Sequence, residues 1–164
     1  MSELLRLFGS VLIVFGAIVL GRGYSAYCAR RLEEGEGFLA FLLHAKGEVI
    51  RSLTPPEGFA RSFRCEALER CGFTDALRAG ESLESAFAAS MKKSALGREL
   101  SELLSEFFSQ FGQDYKDGEA ARTDEYIDRV KTVLAYEREN LEKNTKICRV
   151  LLMAGALGLI ILMI

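Results

Sequence analysis

Both ends of the chain are apolar, and its charged residues are concentrated between them. The stretch from Leu7 to Ala29 contains one charge, Arg22, and the stretch from Val150 to Ile164 contains none. Because a bilayer core of about 30 Å is crossed by roughly 20 helical residues, we predict transmembrane helices over residues 4–29 and 150–164. The second segment is short, and it crosses only if flanking residues enter the interface and the bilayer thins locally.

The cations beside the apolar stretches indicate how the chain is oriented. Arg6 precedes the first stretch. The other flanking cations lie on the side of the central region, and they are Arg22, Arg30, Arg31, Lys143, Lys146 and Arg149. Since Lys and Arg concentrate on the cytoplasmic side of membrane proteins, both ends place the central region in the cytosol. The alternative interpretation of the N-terminus is a cleaved signal peptide, but its n-region, MSELLR, holds one acid and one base.

The middle of the chain, residues 30–149, has the composition of a helical domain. Pro55 and Pro56 stand side by side and are its only prolines, so most of the region lacks the residue that most strongly breaks helices. We predict an all-α fold, a small antiparallel helical bundle flanked by N-terminal and C-terminal transmembrane helices. The predicted helices cover residues 30–53, 55–71, 74–79, 83–93, 100–111 and 120–149, with a polar loop at 113–118.

Several side chains make this prediction specific. Phe107, Phe108 and Phe111 form an apolar stripe, which we assign to the core rather than to an exposed docking surface. Glu137 and Asn144 interrupt the stripe of the last helix, which indicates solvent exposure toward its membrane end. Three glycines weaken the first predicted helix of the domain: Gly35, Gly37 and Gly47.

Composition and spacing argue against several classes of function. The formal net charge of −2 offers no basic footprint for nucleic acid. His44 follows apolar residues and is predicted to be packed or interfacial, with no evident catalytic partner. Asp114, Asp117 and Glu119 lack the alternating ligand order of a calcium loop and are interpreted as a solvated loop. The four cysteines form no CxxC pair and are predicted to be free thiols. We expect no enzyme activity, no metal or cofactor, and no small-molecule substrate.

Short motifs occur in order along nearly the whole chain. They are Leu7-Phe8-Gly9, Leu12-Ile13-Val14, Ala29-Arg30-Arg31-Leu32, Gly47-Glu48-Val49-Ile50, Thr54-Pro55-Pro56, Gly80-Glu81-Ser82, Ala86-Phe87, Phe111-Gly112 and Lys143-Asn144-x-Lys146. In order, spacing and placement between two apolar ends, the chain resembles the stage III sporulation protein AB family of endospore-forming bacteria. It departs from the family pattern at Phe87, where tryptophan is usual, at Tyr115, an acidic position, and at Glu119, a glutamine position.

The resemblance implies a two-pass protein of the mother-cell membrane facing the forespore, within a multi-protein channel complex required for endospore formation. It also implies a cytosolic domain similar to the platform proteins of type II secretion and type IV pilus systems. Such a domain would link a secretion-type ATPase to membrane components, including other channel subunits. Glu48, near the Pro55 turn, is the candidate partner-binding residue. The alternative function is a membrane-tethered helical adaptor or regulator unrelated to secretion.

Overall fold

Helices make up nearly all of the described part of the chain. The computed structural model describes residues 2–51, 62–111 and 116–163. The helices are α1 (Ser2–Arg51), α2 (Glu66–Arg70), α3 (Phe73–Arg78), α4 (Leu83–Ser90), α5 (Arg98–Gln110) and α6 (Lys116–Met163). No strand occurs among these described residues, which confirms the all-α prediction.

The chain divides into two units, and α1 and α6 contribute residues to both. The terminal unit comprises Met1–Ala29 and Arg138–Ile164, and the central unit comprises Arg30–Glu137. Each unit contains its own contacts between α1 and α6, and these are described separately below.

Within the terminal unit, α1 and α6 run antiparallel. A Cβ atom built on Gly21 would lie 3.6 Å from Cδ1 of Leu152, and Nη2 of Arg149 donates a hydrogen bond of 3.3 Å to Oγ of Ser25. From Gly21 to Ser25 on α1, the facing residue on α6 changes from Leu152 to Arg149, so the two helices run in opposite directions.

The terminal unit exposes many large apolar side chains. They include Phe8, Val11, Leu12, Phe15, Ile18, Val150, Leu151, Leu157, Leu159 and Ile161. Among the described residues, one helix is long and apolar enough to cross a bilayer. It is the part of α1 from Phe8 to Glu48, and 11% of its apolar 18-residue stretch is buried. The core helix of a soluble protein would be mostly buried, so length, composition and exposure make α1 a candidate membrane anchor. The second transmembrane helix, over 150–164, stays a prediction.

The core of the central unit is rich in phenylalanine. The ring of Phe38 packs edge-on against Phe73, at 5.1 Å between centroids, and against Phe87, at 5.4 Å. Other core members are Phe41, Leu42, Leu68, Leu77, Leu100, Leu104, Phe107, Phe108, Ile127 and Val130. Edge-on aromatic pairs add about 0.5–1.5 kcal/mol beyond their buried area. The chain has no tryptophan, so phenylalanine supplies most of the aromatic bulk.

The apolar stripe of α5 faces this core. Phe107 and Phe108 are almost fully buried, and Phe111, just past the end of the helix, packs against the core while partly buried. This confirms the prediction that the stripe belongs to the core rather than to an exposed docking surface.

Two glycines in α1 lie where other helices approach closely. A Cβ atom on Gly35 would lie 2.5 Å from Cδ2 of Leu134 and 3.0 Å from Cδ2 of Leu100, and one on Gly37 would lie 3.1 Å from Cγ of Leu68. These contacts come from α6, α5 and α2. The glycines that weaken α1 as an isolated helix therefore leave the space that its packing needs.

Within the central unit, α1 and α6 again run antiparallel. Nη2 of Arg31 lies 2.5 Å from Oε1 of Glu137, and Nζ of Lys46 lies 2.5 Å from Oδ1 of Asp124. Glu137 is 7% exposed, so the prediction of solvent exposure is wrong at this residue, whereas Asn144 is exposed as predicted. The reason is that Arg31 supplies the opposite charge without which a carboxylate is rarely buried.

Several helix boundaries agree with local sequence signals. Oγ of Ser82 accepts a hydrogen bond of 3.2 Å from the backbone N of Ser85 and caps α4 as predicted. Gly72 and Gly80 follow α2 and α3 with φ of 84° and 92°, values that favour glycine. The helix predicted over 83–93 ends earlier, at Ser90. Residues 91–93 form a turn, in which the backbone N of Lys93 donates a hydrogen bond of 3.0 Å to the carbonyl oxygen of Ser90.

The helix predicted over 55–71 is wrong in length. Residues 52–61 lie outside the described part of the chain, and α2 spans five residues after an extended Cys65 with φ of −154°. Phe63 lies before the helix, and its ring packs 5.3 Å from that of Phe41. Phe63 therefore reaches the core from non-helical backbone.

The loop predicted over 113–118 is partly helical, because α6 begins at Lys116. Residues 112–115, which include Asp114, lie outside the described part. Glu119 is 4% exposed, and its Oε2 accepts a hydrogen bond of 3.3 Å from Nη2 of Arg122, so its assignment to a solvated loop is wrong. Glu119 lies in the first turn of α6, where a carboxylate interacts favourably with the helix dipole, so an acidic residue is compatible with the start of a helix.

A buried carboxylate joins α1 to the loop between α4 and α5. Glu34 is fully buried. Its Oε2 accepts hydrogen bonds from Oγ of Ser94 (2.6 Å) and the backbone N of Ala95 (2.7 Å), and its Oε1 accepts one of 2.7 Å from Nε of Arg30. Arg30 also donates a hydrogen bond of 2.6 Å to the carbonyl oxygen of Lys93. Because buried charges are stable only when paired and hydrogen-bonded, these contacts fix the loop on α1.

Gly97 lies at the end of this loop, against the ion pair of Arg31 and Glu137. A Cβ atom there would lie 1.9 Å from Nη2 of Arg31 and 2.1 Å from Oε1 of Glu137. The backbone φ is −70°, which any residue adopts, so the position favours glycine through space rather than conformation: a larger residue would displace the ends of the Arg31 and Glu137 side chains.

Replacing Gly35 by alanine is expected to destabilise the chain, whereas the same change at Gly47 is not. The methyl group of Gly35→Ala would overlap Leu134 and Leu100, and overpacking of a core costs about 1–3 kcal/mol. A Cβ atom on Gly47 meets nothing within 4 Å, so Gly47→Ala gains about 0.5–1 kcal/mol from helix propensity. Chemical denaturation of the detergent-solubilised chain measures both free energies, and a Gly35→Ala protein as stable as the wild type would contradict this packing.

Candidate partner-binding groove

A groove of about 640 Å³ runs between α5 and α6 in the central unit. Its lining residues are Glu99, Glu102, Leu103 and Glu106 of α5 and Glu125, Asp128, Arg129, Thr132 and Val133 of α6. Acidic residues outnumber basic ones in this lining by five to one, so the groove is strongly anionic.

The sequence of α5 places three glutamates on the groove. Glu99, Glu102 and Glu106 are separated by three and four residues, so they share one face of the helix. Leu100 and Leu104 are fully buried on the face toward the core. The same amphipathic repeat that fastens α5 to the core therefore turns its carboxylates toward the groove.

The opposite wall comes from α6 by the same repeat. Glu125, Asp128 and Thr132 are separated by three and four residues and share one face. Leu103 and Val133, one buried and one half-buried, lie between the two rows of polar side chains. The groove thus combines an apolar floor with an anionic rim.

Neighbouring cations neutralise part of this rim. The ion pairs are Arg98–Glu102 (2.7 Å), Arg129–Glu106 (3.9 Å) and Lys131–Asp128 (3.2 Å). Glu99 and Glu125 form no ion pair with any residue that the structure describes. Exposed ion pairs of this kind contribute little stability and are screened by salt, so a charged partner can replace them at small cost.

Arg129, in one wall of the groove, packs over the buried ring of Tyr126. The Arg129 guanidinium carbon lies 5.2 Å from the centre of the Tyr126 ring, a cation–π arrangement. Burial first, and then the hydrogen bond and charge of Glu106, raise the pKa of Tyr126. The phenol therefore stays protonated at neutral pH and acts as a hydrogen-bond donor rather than as an anionic nucleophile.

The groove is suited to holding a cationic protein surface. An apolar centre surrounded by charged groups is typical of protein interfaces, and complementary charge gives such interfaces specificity and fast association. Serine, cysteine and histidine are missing from the lining. In the ranges that the structure describes, no three His, Cys, Asp or Glu residues are grouped so that they could hold a metal ion.

The residues singled out from sequence lie elsewhere. Glu48 is half-buried in the last turns of α1, and its predicted role in partner binding stays a prediction. The ring of His44 lies 5.4 Å from that of Phe63 in a tilted arrangement, which agrees with its predicted packing. The four cysteines are free thiols, as predicted.

The sequence analysis does not predict the carboxylates of the groove as a site, although the sequence pattern of α5 indicates the ones on that helix. The spacing of Glu99, Glu102 and Glu106 opposite the apolar stripe of α5 predicts an acidic helix face. The sequence does not show that α6 lies beside this face, because that depends on contacts between residues far apart in the chain.

A comparison with protein families matches nearly the whole chain to a known family. The family model described as stage III sporulation protein AB matches residues 6–164, a range that includes the groove and nearly all of both units. No curated protein and no solved structure gives a significant match to the chain.

Proposed function

Because the chain belongs to the stage III sporulation protein AB family, we propose that it is a membrane-anchored subunit that serves stage III of sporulation by binding other proteins. The observation that carries this proposal is the family match over essentially the whole chain. The family supports the sporulation role, and the anionic groove between α5 and α6 supports binding as its mode of action.

The proposed topology is two-pass, with the central unit in the cytosol and the membrane being the mother-cell membrane that faces the forespore. The long apolar part of α1 supports the first crossing. The exposed apolar side chains of α6 after Arg149 support the second. Arg22, Arg30 and Lys146 lie on the inner side in this topology, as Lys and Arg usually do.

Binding rather than catalysis fits the described polar side chains. Glu34 and Glu137 are buried in structural ion pairs, and His44 is packed against an aromatic ring. The groove offers charge and shape but no serine, cysteine or histidine nucleophile. We therefore propose that the chain acts by binding, without enzyme activity of its own.

The proposed partners are the membrane subunits of a channel complex and a secretion-type ATPase, as the family resemblance implies. The groove would receive a segment rich in Lys and Arg, because opposite charges steer association and fix orientation. An anionic groove repels the phosphate backbone of nucleic acid, which argues against nucleic acid as the partner.

Capture of the tagged full-length chain from detergent-extracted membranes of sporulating cells tests this function. We expect a secretion-type ATPase and other membrane subunits to copurify. A clean capture that recovers neither class would contradict the platform role and favour the adaptor function.

Charge reversal in the groove makes the same experiment specific. Glu99→Lys with Glu125→Lys is expected to lower partner recovery by about tenfold or more, since like charges facing each other across an interface cost several kcal/mol. The matched control is Glu84→Lys with Glu142→Lys, which makes the same change in net charge at two exposed positions outside the groove. Glu84 lies in the first turn of α4, and Glu142 lies on α6. Equal recovery with both pairs of substitutions would rule out the groove as the binding surface.

The two-pass topology is tested by fusing alkaline phosphatase, which is active only after export, to the chain. A fusion after Ile164 is expected to be active, and a fusion after Gln110 inactive, because both apolar segments are needed to return the chain across the membrane. An inactive fusion at Ile164, with the protein present in the membrane fraction, would contradict the second crossing.

A further inference from the structure

A cleft of about 530 Å³ lies between α1 and α6 within the terminal unit. Its walls combine two kinds of side chain. Ile18, Leu152 and Met153 are apolar, whereas Arg22 and Arg149 carry positive charge, and all five line the cleft. A ligand that fits must therefore be apolar along most of its length and anionic at one end.

Small residues create the space. Ala17 and Gly21 are one helical turn apart on α1, and both line the cleft. A Cβ atom built on Gly21 would lie 3.6 Å from Cδ1 of Leu152, so a longer side chain there would enter the cleft. A flexible acyl chain can follow such a cleft and bury its apolar surface against the apolar side chains that line it.

The two arginines have spare hydrogen-bonding capacity. Arg149 donates a hydrogen bond of 3.3 Å to Oγ of Ser25, and neither Arg149 nor Arg22 forms an ion pair with a carboxylate in the described ranges. A guanidinium presents five donors, and pairs of them favour phosphate oxygens. Charged groups at the edge of a membrane segment are stable when an anion neutralises them.

We propose that this cleft binds an anionic phospholipid, with the phosphate held by Arg22 and Arg149 and an acyl chain lying along Ile18 and Leu152. The inference rests on the proposed two-pass topology. Arg22 is the only charge in the first apolar stretch, and Arg149 directly precedes the second. The contact between Arg149 and Ser25 places Arg149 about one helical turn from the position of Arg22 on α1, and both cations line the cleft on the cytosolic-leaflet side in that topology. Basic pockets between membrane helices on this side bind anionic headgroups.

Native mass spectrometry of the detergent-solubilised full chain, titrated with phosphatidylglycerol or phosphatidylcholine, tests the proposal. We expect phosphatidylglycerol to bind preferentially, and Arg22→Gln with Arg149→Gln to weaken it by about thirtyfold, since each cation near an anionic lipid contributes to the affinity. The control, Lys143→Gln with Lys146→Gln, removes two cations from outside the cleft and is expected to change the affinity by less than about threefold.

A second variant keeps the test decisive if the arginine variant misfolds. Gly21→Leu fills the recess and leaves both arginines in place, and it is expected to weaken phosphatidylglycerol binding while helicity is retained. Equal binding of the two lipids, or equal loss in the control, would overturn the proposal. So would displacement by inorganic phosphate at matched concentration, which would indicate a simple anion site, or a dimer that forms through the cleft and excludes lipid.

Failure of this inference is distinguishable from failure of the proposed function. An active phosphatase fusion at Ile164 together with no lipid preference would remove the lipid site and leave the two-pass topology intact. An inactive fusion would remove the topology on which the lipid site depends.

Discussion

Glu34 and Glu137 are carboxylates removed from water, and each is stable there only because another part of the chain supplies donors. Glu34 receives hydrogen bonds from α1 itself and from the loop between α4 and α5, while Arg31 pairs with Glu137 across α1 and α6. Gly97 ends the loop against that pair. Three separate segments, α1, the loop and α6, are therefore joined by one small polar cluster. These contacts fix how the segments lie beside the phenylalanine core. Removing one partner would leave a buried charge uncompensated, which is far more costly than losing an exposed ion pair.

The groove depends on the same arrangement. Its walls are outward faces of α5 and α6, and their separation is set by the contacts that those helices make with α1, including the close approach at Gly35. The anionic rim therefore lowers the stability of the fold little, because its carboxylates stay in water. The helices are anchored by Leu100 and Leu134, which are buried on the opposite faces. Binding a cationic partner would use charge that the fold itself does not need.

Local signals in the sequence predicted much of this molecule. The cap at Ser82, the stop at Gly72 and the stripe of α5 depend on neighbouring residues alone, and each is confirmed. The errors concern residues whose state depends on distant partners. The sequence predicts Glu137 in solvent because its half-buried partner, Arg31, lies 106 residues away. It predicts too long a helix before Cys71 because Phe63 reaches the core from non-helical backbone. Half of the groove was predictable from α5, and the other half depended on the position of α6.

The most direct test of this account is a double-mutant cycle on the pair that joins α1 to α6. Arg31→Ala, Glu137→Ala and the double variant would be compared by chemical denaturation of the full chain in detergent. The account predicts a coupling free energy of about 1.5–3 kcal/mol, as expected for hydrogen bonds between charged, largely buried groups. A coupling below about 0.5 kcal/mol, typical of exposed pairs, would show that the polar cluster does not hold the central unit together.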